Sequence, residues 1–96
     1  MENNLHIVYS KKHFVIYQLS SKSYLVHNTR KDLNASTSIK KLNIAKDILN
    51  WALYEKIPDR TLSIYILRGL IRISDSKDYA KKITEIAKNQ HLSKSI

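Results

Sequence analysis

Arg68 and Arg72 stand four residues apart, with Thr61 and Tyr65 just before them. At 100° per residue all four fall in a strip about 60° wide, the polar strip of an otherwise apolar segment. Two guanidinium groups projecting the same way beside a phenol suit phosphate, because each planar fork donates several hydrogen bonds to its oxygens. A plainer reading also fits: a buried helix needs one wet edge, and arginine stems cover apolar neighbours well.

Other cations fall into two further groups. Lys77, Lys81 and Lys88 share a narrow helical sector with Lys82 further round, and Asp78 and Glu85 border it. Lys11 and Lys12 lie in a predicted turn, and Arg30 and Lys31 follow a predicted third strand; in a meander these two places adjoin. Lys40 and Lys41 open the next helix, where the macrodipole disfavours cations by tenths of a kcal/mol and a bound phosphate would remove that cost. Solvated faces and guarded strand ends are the alternative account of these lysines.

Most other chemistries lack their residues. Cysteine is absent, so no disulfide, thiolate nucleophile or zinc–cysteine site exists. One glycine excludes the glycine-rich phosphate loops and the nucleophile elbow, and no HExxH is present. His6 and His27 would flank Ile16 at nearly 10 Å, judged from strand spacing, with no strand carboxylate to complete a site. No metal and no cofactor is expected. Asp75 and Asp78 sit at a helix start, which is capping chemistry first. A helix-turn-helix would offer lysines and a late Asn89, poor material for reading bases and adequate for touching the backbone.

The elements that must position these groups follow from hydrophobic period. Residues 5–28 alternate, rich in β-branched and aromatic types, with breaks at 10–12 and 20–22. That predicts a three-stranded antiparallel meander. One face holds Tyr9, Val15, Tyr17 and Val26; the other holds Phe14, Ile16, Leu25 and His27. A sheet that is apolar on both sides must be covered twice or leave a contact surface. Phe14, Ile16 and Leu25 are the expected interface, for a second copy or an acidic protein partner.

Residues 29–38 read as a polar connector, with Ser38 as N-cap of a helix over about 39–56. Asp59 is the expected cap of a second helix, about 60–73, whose wide apolar arc makes it central. Gly69 inside it implies a close approach by another backbone. A third helix covers about 76–90, and residues 92–96 should fray. Strands followed by helices indicate an α+β class.

Composition bounds the whole. Seventeen basic against eight acidic side chains give +9, and 43% of the 96 residues are hydrophobic, enough for one small domain over 1–96. Ile, Lys, Asn and Tyr, all encoded by AT-rich codons, make 39 residues, so base composition accounts for part of the lysine but not for the scarcity of acids. The longest apolar run is four residues, far short of a membrane span or signal core, which points to a cytoplasmic protein. The resulting expectation is a non-enzymatic accessory or regulatory protein contacting DNA or RNA phosphates. A protein-interaction module is the alternative, and a metal-independent ribonuclease, which leaves no motif, is third.

Overall fold

The alternating segment forms the strands expected of it, and one more joins them. The structure, a computed structural model, describes residues 5–92. Strand β1 spans His6–Lys11, β2 Phe14–Ser20, β3 Ser23–Asn28 and β4 Ser36–Ile39. They lie in the order β1-β2-β3-β4, each antiparallel to its neighbour. Helices α1 (Leu42–Tyr54), α2 (Ile64–Ile73) and α3 (Lys77–Ala87) follow, and a π-helical turn at Lys88–Leu92 closes the described chain. The class is α+β, with a sheet of four strands instead of three.

The fourth strand was hidden by its polarity. Ser36-Thr37-Ser38-Ile39 alternates, with Thr37 and Ile39 buried and the serines half-buried. Four residues carrying one large apolar side chain resemble a loop, yet β3 offers them a ladder, Val26 facing Thr37 and Tyr24 facing Ile39. Ser38 is therefore in a strand and caps nothing. Helix α1 begins at Leu42 after an extended Lys41 with no side-chain cap, and ends where Glu55 turns left-handed (φ 53°). Asp59 does not cap α2 either, because the helix starts only at Ile64 and not at 60; its carboxylate binds Arg60 (3.1 Å). Ser63 caps instead, its Oγ accepting from the Ile66 amide at 3.2 Å, and Ser76 caps α3 in the same way from Tyr79.

Register decides which sheet face the helices cover. The β1–β2 hairpin turns on Lys12 and His13, Lys12 at φ 56°, so Lys11 faces Phe14. An irregularity between Ile7 and Tyr9 lets both Val8 and Tyr9 pack on the core. Phe14, Ile16 and Val26 are fully buried in one apolar cluster with Ile48, Leu49, Leu67, Leu70, Ile73 and Ile83. Phe14 and Ile16, expected on an outward contact face, are thus the floor of the core and offer no surface. The open face carries Ile7, Tyr17, Leu19, Leu25 and His27. Alternation alone did not assign these faces: an irregularity between Gln18 and Ser20 shifts β3 by one residue, so Val26 joins Phe14 and Ile16 on the core side while Leu25 and His27, expected with them, join Tyr17 on the open side.

The π-helical turn is anchored to the segment that precedes α2. His91 Nε2 donates to the Leu62 carbonyl (2.7 Å), and the Leu62 amide donates to Gln90 Oε1 (3.3 Å). The expected frayed tail lies, from residue 93 onward, outside the described residues. No helix among the described residues is long and apolar enough to cross a membrane.

Candidate nucleic-acid interface

Strand β4 is the edge of the sheet, and α2 runs beside it in the opposite direction. Tyr65 Oη donates to the Ser38 carbonyl (2.9 Å), and Arg72 Nε donates to the Ser36 carbonyl (3.0 Å). Between them Gly69 lies against Thr37, where an added Cβ would come 2.8 Å from the Thr37 Cβ. The close approach expected at this glycine exists, but a side chain makes it. Tyr65 and Arg72 thus tie down backbone carbonyls of an edge strand, the groups that otherwise invite a foreign strand. Arg68, on the same flank, is exposed and makes no hydrogen bond or ion pair among the described residues.

At the end where β4 leads into α1, three lysines converge. Lys22 comes from the β2–β3 turn, and Lys40 and Lys41 from the β4–α1 junction. With Tyr65, Ile39, Ile44 and Ile66 they line a cleft of about 480 Å³. Among the described residues no carboxylate lines it, and neither adjacent helix has an acid in its first turn. Lys22 was missed in the sequence because only β4 brings the β2–β3 turn beside Lys40 and Lys41.

At the opposite end sit Arg30, Lys31 and Arg72. Lys31 Nζ donates to the Arg72 carbonyl (3.4 Å), and both residues border a second hollow of about 540 Å³ with Asp32 and Asn34. Behind them the α2–α3 turn is fastened to the sheet. His13 Nε2 donates to Asp75 Oδ2 and Asn28 Nδ2 to Asp75 Oδ1, both at 2.7 Å, while Asn28 Nδ2 also reaches the Ile73 carbonyl (2.9 Å). Burial pushes the Asp75 carboxyl up, but bonds from Asn28 and His13, with the charges of His13 and Arg30, outweigh it and hold it below its ordinary value. Arg30 is 4.0 Å from this carboxylate and largely exposed.

The basic residues named from sequence therefore separate into distinct places. Tyr65, Arg68, Arg72, Lys31, Lys40 and Lys41 share the β4–α2 edge, whereas Arg30 lies beside Asp75 of the α2–α3 turn. Lys40 and Lys41 do not join Lys11 and Lys12, because β4 reverses the chain and carries them to the other end. Lys11 turns under the sheet, donating to Asn50 Oδ1 (3.3 Å) with its ammonium 5.3 Å from the Tyr54 ring centre. Lys12 is exposed in the first turn, beside His13. Lys77 and Lys81 are exposed on α3 and Lys88 at the start of the π-helical turn, and Asp78 and Glu85 of α3 border a hollow with Lys81 and Lys82. That face is mixed in sign. Leu25 alone of the three expected interface residues is on the open sheet face, half-buried.

The acids mostly lie elsewhere. Asp47 and Asp59 both bind Arg60, at 2.8 and 3.1 Å, and Asp75 is engaged as described. Among the described residues neither Arg68 nor Arg72 is paired with a carboxylate. The edge is therefore a band of cations, about 10 Å from Tyr65 to Arg72 along α2 and extended at both ends. Comparison with protein-family models, curated proteins and solved structures finds no match for this chain.

Proposed function

We propose that this protein is a non-enzymatic, nucleic-acid-associated accessory protein that holds a phosphate backbone along its β4–α2 edge. The observation that carries this reading is convergence: cations from four separate stretches, at 22, 31, 40–41 and 68–72, lie along one edge, and among the described residues neither Arg68 nor Arg72 is paired with a carboxylate. Lysines and arginines so arranged neutralise phosphates and displace their counterions, whatever the base sequence. Binding of this kind weakens linearly in log K against log salt. Replacing Arg68 by Ala should reduce that slope by about 1 without loss of stability, since Arg68 is exposed and makes no hydrogen bond or ion pair among the described residues. A titration across salt, with the oligonucleotide inspected for cuts, checks this. A flat salt response rejects the reading, and cleavage that survives chelation replaces it with a nuclease.

The open sheet face supports a second reading, association with another protein. Ile7 and Leu19 are 56% and 45% exposed there, beside Tyr17 and Leu25. The same titration separates the two, because apolar docking responds weakly to salt.

A further inference from the structure

We infer that the cleft at the Lys22–Lys40–Lys41 end takes one unstacked base of a single-stranded nucleic acid, so that the protein prefers single strands to duplex. This rests on the nucleic-acid reading above and narrows its ligand. The cleft, at about 480 Å³, is within the size range of small-molecule sites. Its floor is apolar, made by Ile39, Ile44 and Ile66, which a run of phosphates alone would not need. Tyr65 lines it with a side chain that is half exposed and not free to swing, because its hydroxyl is held by the Ser38 carbonyl at 2.9 Å. A fixed aromatic ring over an apolar floor is a stacking platform. Lys22, Lys40 and Lys41 then stand where the phosphates flanking that base would pass.

A duplex cannot use this arrangement. Its bases are stacked on both faces inside the helix, so only its phosphates could reach the lysines, and the apolar floor would stay wet. A single strand can turn one base into the cleft and lay its backbone along Arg68 and Arg72. The stacking face is common to DNA and RNA, so both sugars should show the preference.

Fluorescence anisotropy with a labelled oligonucleotide, as single strand and as duplex, in DNA and in RNA, tests this at fixed salt. The single strand should bind about tenfold more tightly in both sugars, the gain expected of one stacked base. Tyr65→Leu should remove that advantage, bringing single-strand affinity down to about the duplex value. Tyr65→Phe, which loses the same hydroxyl and keeps the ring, should retain most of it, so comparing the two separates stacking from any loss of fold. A fluorescent adenine analogue in the strand should be quenched on binding the unaltered protein. Equal affinity for single strand and duplex, with a steep salt slope, overturns the cleft inference and leaves phosphate binding standing. A single-strand preference that Tyr65→Leu does not alter also overturns it. Binding to neither form overturns both.

Discussion

Thr37 shows how a single side chain can hold a position for its shape and against its polarity. It is buried between β3 and α2, and its hydroxyl has no hydrogen-bond partner among the described residues. A hydroxyl in that state retains its desolvation cost with nothing to offset it. Thr37→Val keeps the branched shape and removes the orphan oxygen, so it should stabilise the fold by about 1 kcal/mol, measured by urea unfolding. Asp75 has the contrary character, a carboxylate that the fold favours in its charged form. Its folded pKa is below the ordinary 3.8, so its contribution is present above that value and is lost as pH falls through the lower, folded one. Unfolding free energy should therefore drop in that acid window, and Asp75→Asn should remove this part of the pH dependence while weakening the bonds from His13 and Asn28. Neither property was legible in the sequence. Asp75 reads there as helix-breaking and capping chemistry, and its partners are 47 and 62 positions away.

Among the elements, β4 and α2 define each other. The helix brings Tyr65 and Arg72 to two carbonyls of the strand, and the strand brings Thr37 to the one residue of the helix without a side chain. The glycine is needed for closeness, since its backbone is ordinary helix. Gly69→Ala should gain about 1 kcal/mol of helix propensity and lose more to overpacking, about 1–3 kcal/mol, for a net destabilisation. Thermal unfolding of the Ala variant checks this, and an unchanged or raised midpoint would mean that α2 can shift away from β4. The helices themselves were readable, because 3.6-residue periodicity survives any packing arrangement. Their starts were less so. Serines at 63 and 76 cap, while Ser38, equally suited by type, is taken by a strand.

Over the whole molecule, what matters is where the net charge of +9 is placed. Lys11 and Lys46 sit over tyrosine rings on the α1 side, Arg60 is bound by two aspartates, and α3 mixes signs. The β4–α2 edge is the place where cations gather with little opposition. If about four of them meet phosphates at once, the slope of log K against log salt for a single strand is about −3. Arg68→Ala should flatten it by about one unit, whereas charge reversal at Lys81 and Lys88 should change it far less. Arg72→Ala is a poorer probe, because it also frees the Ser36 carbonyl and disturbs the edge it protects.

By itself the sequence determined the α+β class, three of four strands, three helices and the exclusion of cysteine and glycine-loop chemistry. These follow from local period and composition, which no tertiary contact alters. Only the tertiary structure decided which apolar sheet face is core, that residues 36–39 form a strand, and which cations become neighbours. The physical reason is the same in each case. Alternation makes two equivalent faces, and a short polar strand exists only against a partner, so both are settled by what packs from elsewhere in the chain. Once β4 reverses direction, Lys40 and Lys41 leave the company of Lys11 and Lys12 and meet Lys22 and Tyr65.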